Sequence, residues 1–348
     1  MQIWPYLPRL CDDAPSIDAT IKRDPEDFVV EEVPAYEPAG QGDHLYLWIE
    51  KRDIAAEALI KHLAQALKVS SRDIGAAGMK DRRAITRQWV SVPVAAEKRL
   101  DRVETRAIRV LKSARHKNKL KTGHLVANRF QIHVRGIAKP LREEVCQSAA
   151  RVAADGFPNY FGPQRFGNGG QTAKQGFDLL KGELRPNQIP RQRRRFLIRL
   201  AISAAQSMVF NSVLGNRISA GKIATVTAGD VLQKTETGGM FLCENVEEDQ
   251  PRLESGELSL TGPMHGPKMR RPEGEPAEWD AQGLSRWELT EEQFAEFSRV
   301  AHGTRRRLMV RADDLVAEPA TGGVRLSVTL PAGVYATVLL REVLGLES

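Results

Sequence analysis

The chain has 348 residues, 41% of them hydrophobic, with a mean hydropathy of −0.37; it can fill packed cores, and the lack of a long apolar run argues against a membrane span. Its net charge of +7 points to an anionic partner only where the basic residues cluster. Cys11, Cys146 and Cys243 are isolated and odd in number, which excludes a disulfide framework or a CxxC metal site; with no basic leader before an apolar core at the N-terminus, the expectation is a soluble cytoplasmic protein.

Residues 26–33 and 44–50 read as strands; in the second, Leu45, Leu47 and Ile49 alternate with His44, Tyr46 and Trp48. A helix follows over about 55–68, with Leu59, Ile60, Leu63 and Leu67 on one face. After a turn around Asp81 come strands at 89–92, 107–111 and 129–135, then a helix over 141–154 that Gly156 and Pro158 end. The stretch 157–303 reads as a separate unit, with helices over 171–180, 196–213 and 290–302 and a Gly/Pro-rich loop region at 262–283. Strand patterning returns at 308–311 and 324–330, and a last helix is expected to start near Pro331, carrying Val338, Leu339, Val343 and Leu344.

Basic residues gather at Lys112 to Lys121, Arg191 to Arg199, Lys268 to Arg271 and Arg305 to Arg307, while acids collect between Glu244 and Glu257. Such runs are usually solvated faces, but several in one chain favour nucleic acid as the partner. Nothing argues for a cofactor or a metal. Gly221-Lys222 is followed by Ile223 where a phosphate loop needs Ser or Thr, and the glycines at 167–170 lack the third position of a dinucleotide fingerprint. The seven histidines are scattered.

The most telling segment is Gly78-Met79-Lys80-Asp81-Arg82-Arg83-Ala84-Ile85-Thr86-Arg87-Gln88. A carboxylate set among fixed positive charges is favoured in its ionised form, and nearby glycine lets a substrate come close. That combination suits a nucleophile more than a general acid. Taken alone, the triplet Lys80-Asp81-Arg82 reads as a surface turn.

Together with Asp27-Phe28-Val29-Val30-Glu31-Glu32, Ala127-Asn128-Arg129-Phe130, the run from Asn159 to Gly167, Thr261-Gly262-Pro263-Met264 and the run from Pro331 to Thr337, the segment resembles the TruD family of tRNA pseudouridine synthases. The motifs stand in the family's order and span nearly the whole chain. The resemblance implies an α+β fold: a catalytic domain (1–156 and 304–348) with a mixed, largely antiparallel sheet and flanking helices, plus an inserted α+β domain (157–303). It also implies the reaction, isomerisation of a uridine in transfer RNA to pseudouridine, at position 13 in the bacterial members, and it places Asp81 on the catalytic aspartate.

That reaction breaks N1–C1′, turns the uracil over and rejoins it through C5, so it requires neither redox change nor added group. A carboxylate can act as a covalent nucleophile or remove a sugar proton to give a glycal, and both routes stay open. Lys80 and Arg82 flank Asp81, but neighbours in an extended segment point to opposite faces; Lys22, ahead of the Asp27-Phe28 motif, is the alternative ion-pair partner. The base must leave its stack, and aromatic stacking holds extruded bases by about 1–3 kcal/mol each. Phe28, Phe130 and Tyr335 are the candidates for this, with Asn128 for a uracil edge or a phosphate. Tyr335 stands where the family motif usually has Phe, so its hydroxyl needs a partner. The motif from Asn159 to Gly167 is expected at the junction of the two units with some RNA contact. The competing reading is a tRNA-binding or RNA-folding protein without catalysis.

Overall fold

The computed structural model describes residues 7–10, 17 and 19–345; Cys11 lies outside the described residues. The N-terminal half supplies six strands: β1 (Phe28–Pro34), β2 (His44–Arg52), β3 (Gly75–Ala76), β4 (Ile85–Pro93), β5 (Ile108–His116) and β6 (Leu125–Arg135), with helices α1 (Ala56–Leu67) and α2 (Leu141–Asp155). α1 buries Leu59, Leu63 and Leu67 at helical spacing against Leu45, Leu47, Ile49, Val90 and Val92, and it ends at Lys68 in the left-handed region (φ 55°).

Residues 157–307 begin with the short strand β7 (Phe157–Pro158), then α3 (Gln171–Leu180) and the long α4 (Arg194–Ser219). Next come β8 (Val231–Lys234), β9 (Met240–Leu242), α5 (Val246–Glu254), β10 (Leu258–Met264), α6 (Gly274–Ser285), α7 (Glu291–Glu296) and β11 (Thr304–Arg307). Strands β11, β10, β8 and β9 form a four-stranded sheet in that order, so this sheet runs past the expected boundary at 303. α4 is long and apolar enough to cross a membrane by length and composition, but 72% of that window is buried inside the protein. It is a core helix: Ile202, Met208, Phe210 and Leu214 are fully buried, each such side chain worth about 1.5–3 kcal/mol in removed apolar surface.

The chain returns through β12 (Met309–Val310), β13 (Val316–Ala320), β14 (Gly323–Pro331) and α8 (Ala336–Leu344). β12 pairs with β7 and so ties the two ends of the middle segment together. The main sheet has the order β13-β14-β6-β1-β4-β2-β5, with β3 added beside β4. Its β1–β4 pair is parallel and the other pairs are antiparallel, which gives the mixed, largely antiparallel α+β sheet expected from the sequence.

Three expected elements differ. The Gly/Pro-rich stretch at 262–283 holds α6, whose Pro276 sits in the first turn where a missing N–H costs nothing. The helix expected over 290–302 stops at Glu296, because Phe297 leaves helical geometry (φ −97°, ψ 23°). Pro331 ends β14 and α8 begins only at Ala336; a proline at the last strand position mimics the helix-start signal.

Candidate active site

Strand pairing explains how the site is built. On β1, Phe28, Val30 and Glu32 are buried while Val29 and Glu31 between them are less so, and side chains two apart share a face. Val30 pairs with Thr86 on β4 and with Phe130 on β6, Glu32 pairs with Asn128, and Lys51 on β2 pairs with Thr86. One face of the sheet therefore carries Phe28, Glu32, Lys51, Thr86, Asn128 and Phe130. This polar strip lies between two apolar clusters, one around α1 and one around α2 and α8.

Asp81 hangs over this face from the middle of the loop between β3 and β4. The loop is pinned at several points. Gly75 and Ala76 pair with Ser91 and Val90, Ala77 O accepts from Gly123 N at 2.8 Å, and Ala84 O accepts from Asp53 N at 3.1 Å. Lys51 Nζ reaches up from the sheet and donates to Asp81 O at 2.7 Å and to Ile54 O at 2.7 Å. Burial pushes the Lys51 ammonium down to about 8, against the opposing pull of the Asp81 charge and with a further push from Lys80. Gly75 is required by contact: a Cβ there would stand 2.2 Å from Leu120 O and 2.5 Å from Ser91 Oγ. Gly78 differs, since a Cβ would meet only Leu125 Cδ2 at 3.9 Å; it leaves that side of the loop open.

The cation on Asp81 is Lys22, with Nζ 3.4 Å from Oδ1, the two side chains about one-quarter exposed (21% and 27%). Lys22 Nζ also sits 4.0 Å above the centre of the Phe28 ring, a cation–π placement that fixes the ammonium between ring and carboxylate. The backbone holds Lys22 in the left-handed region (φ 57°), uncommon for lysine and costly unless its surroundings demand it. Those surroundings are clear: Thr20 bridges to Arg135, and Asp27 takes Arg135 Nε at 2.8 and 2.9 Å and Arg135 Nη2 at 2.6 Å. The Arg135 hydrogen bonds hold the Asp27 carboxyl below its usual range despite burial.

The neighbours of Asp81 in sequence point elsewhere. Lys80 turns into the protein: its Nζ lies 2.9 Å from Glu32 Oε2 and donates to Asn128 Oδ1 at 2.6 Å. Burial pushes the Glu32 carboxyl up, opposed by Lys80. Arg82 turns outward, its Nε 4.0 Å from Asp53 Oδ1, both exposed. The reading of Lys80 and Arg82 as the charges flanking the Asp81 carboxylate is thus corrected: extended backbone sends adjacent side chains apart, and the tertiary fold brings in Lys22.

Phe28 and Phe130 pack edge to face at 5.8 Å and are 1% and 7% exposed. They form the floor beneath the Lys22–Asp81 pair. Lys22, Phe28, Lys80, Asp81, Asn128 and Phe130 therefore come together, while Arg82 and Tyr335 do not. Tyr335 belongs to a second cluster, 6.1 Å from Phe161. Sequence reading missed Lys51 and Glu32 as parts of the site; Lys51 lies in the charged run Glu50-Lys51-Arg52-Asp53, which looks solvated until strand register turns it inward. Thr86 Oγ1 and Gln88 Oε1, buried on the same strand, have no hydrogen-bond partner. Among the described residues no group of three or more His, Cys, Asp or Glu is placed to hold a metal ion.

The basic clusters divide by burial. On the edge strand β5, Lys112 lies over Trp48 and Trp89 at 5.6 and 5.0 Å. At the start of α4, Arg191, Arg193, Arg195 and Arg199 are exposed, and so is Phe196. Arg305 is structural: it is buried and paired with Asp280 at 2.8 Å.

The family model for tRNA pseudouridine synthase D (TruD) matches residues 8–187 and 191–343. The chain is 45% identical over 336 residues to a protein named tRNA pseudouridine synthase D from Anaeromyxobacter dehalogenans, covering 97% of this chain and 96% of that one. It is 40% identical over 346 residues to the Thermus thermophilus protein of the same name, covering 98% and 93%. A crystal structure of a candidate tRNA pseudouridine synthase D from Methanosarcina mazei shares the fold, with a TM-score of 0.76 at 23% identity, covering 99% of this chain and 97% of that one. A model matched over almost the whole chain and relatives at this identity lead to one conclusion: the chain belongs to the TruD family.

Proposed function

We propose that this protein isomerises uridine in transfer RNA to pseudouridine, at position 13, with Asp81 as the reacting carboxylate. Family membership and the names of the relatives support the reaction. The observation that carries it to particular atoms is the pairing of Asp81 with Lys22 above Phe28. A one-quarter-exposed carboxylate held against a fixed cation is available to attack C1′ or to take a sugar proton. In either route N1–C1′ breaks, C5–C1′ forms, and the proton leaving C5 is balanced by one gained at N1.

In this reading the extruded uridine enters beside the Lys22–Asp81 pair, above the floor that Phe28 and Phe130 form, and Asn128, braced by Lys80, faces the uracil edge. The exposed arginines at the start of α4 and the lysines of β5 meet phosphates, a term that weakens with salt. Units 1–156 with 304–348 and 157–303 would act as catalytic and inserted parts, in the cytoplasm where tRNA is the substrate. Pseudouridine mapping of tRNA from cells lacking this protein tests the proposal. It predicts loss of the modification at one tRNA position, restored by the wild-type chain and not by Asp81→Asn; an unchanged map would contradict it.

A further inference from the structure

The motif from Asn159 to Gly167 carries a second charged site that the isomerisation chemistry does not use. Arg165 Nε donates to Ser207 Oγ at 3.0 Å, and Nη2 donates to Ser203 Oγ. Arg306, on β11, donates from Nε to Asn159 O at 3.2 Å and from Nη2 to Asn159 Oδ1 and to Gly333 O, the last at 3.0 Å. Both guanidinium groups lie over the one Phe161 ring, at 4.1 Å for Arg306 and 5.6 Å for Arg165. Every one of these acceptors is neutral.

Among the described residues no carboxylate comes within ion-pair distance of either arginine. Two half-buried cations thus share one aromatic ring without a carboxylate partner, which is costly unless an anion joins them. Burial pushes both down, Arg306 to about 10; the Tyr335 hydroxyl opposes this on both, and Arg165 adds to the effect on Arg306. A relay of contacts links the pair to the site already described. Arg306 grips Gly333 in the turn after β14, and the last residues of β14, Leu330 and Pro331, pair with Asn128 and Ala127; Asn128 holds Lys80, the neighbour of Asp81.

We propose that Arg165 and Arg306 together bind one phosphate of the RNA backbone beside the extruded uridine. The planar fork of arginine matches phosphate oxygens, and stacking on Phe161 keeps both forks oriented before RNA arrives. This inference rests on the tRNA reading above.

The test measures tRNA affinity against salt for the wild type, Arg165→Gln, Arg306→Gln and Arg306→Lys, with melting temperatures alongside. Loss of one phosphate contact lowers the slope of log K against log salt by about 0.7–0.9; each Gln variant should show that drop with roughly tenfold weaker binding, and Arg306→Lys a smaller loss. A second arm uses wild-type protein only, so that misfolded variants do not decide the matter: tRNA carrying single neutral methylphosphonate linkages around the target uridine. One linkage should reproduce the affinity loss, and where the variants fold, Arg165→Gln should lose nothing further on that RNA. Folded variants with unchanged affinity and slope, or a wild type indifferent to every linkage, would overturn the proposal and leave Arg306 as a clamp between β11 and the 331–335 turn. Tritium release by the wild type in the same preparation separates the two readings. If release occurs while the phosphate test fails, only this inference falls.

Discussion

Lys51 couples the site to pH. Its ammonium titrates near 8, held down by burial while the Asp81 charge pulls the other way. The folded chain therefore holds fewer protons on this group than the unfolded chain between about 8 and the ordinary lysine value of 10.5, so this group's contribution to stability rises with pH across that window. For catalysis the direction is opposite: above pH 8 the Lys51 charge, which adds to that of Lys22 at Asp81, disappears. We expect kcat/KM of the wild type to fall as pH rises past 8, and Lys51→Met to be about tenfold or more slower with that falling limb missing. The same limb in both proteins would remove Lys51 from the account. Lys22→Met should slow turnover by at least about tenfold while changing the melting temperature little, since one-quarter-exposed ion pairs contribute about 1 kcal/mol or less to stability; equal turnover would contradict its role. Asp81 was legible because its motif is local. Its cation was legible only as one of three candidates, because Lys22 arrives through the Thr20–Arg135 bridge and a left-handed backbone, neither of which leaves a mark in sequence.

The loop between β3 and β4 shows how an element serves the site. Gly75, on β3 just ahead of it, and Gly78 within it look alike in sequence and differ in structure. Gly75→Ala forces a Cβ onto Leu120 O and should destabilise the protein by about 1–3 kcal/mol. Gly78→Ala meets nothing tighter than 3.9 Å and should leave stability unchanged, so a loss of activity there reports substrate approach. Thermal melts with turnover measured on the same samples check both; equal destabilisation would refute the distinction. Alternating patterns made β2, β6 and β14 legible, since one buried face imposes a period of two. α6 was hidden because Gly274 and Pro276 signal a loop, although both lie in its first turn, where proline is tolerated. The start of α8 was misplaced for the converse reason: Pro331 closes a strand and four further residues intervene before the helix.

At the scale of the molecule, one continuous core joins the two parts. Val30, Ile132 and Leu326 of the main sheet share it with Phe210 of α4, Leu260 of β10 and Phe294 of α7. Composition set the middle segment apart as an expected separate unit, and its sharing of a core with the main sheet was not legible, because packing between distant segments leaves no periodic trace. We therefore expect one calorimetric unfolding transition for the whole chain. Asp230→Ala, which strands Arg217 without its buried partner at 2.6 Å, should lower that single transition by about 3–5 kcal/mol of stability; two separate transitions, only one of them shifted, would contradict the shared core. The central claim is that the Asp81 carboxylate, set against Lys22, reacts with uridine in tRNA. Its most direct test is tritium release from tRNA labelled at uracil C5, measured for the wild type and Asp81→Asn. The account predicts release by the wild type and none above background by the variant; no release by the wild type, or equal release by both, would contradict it.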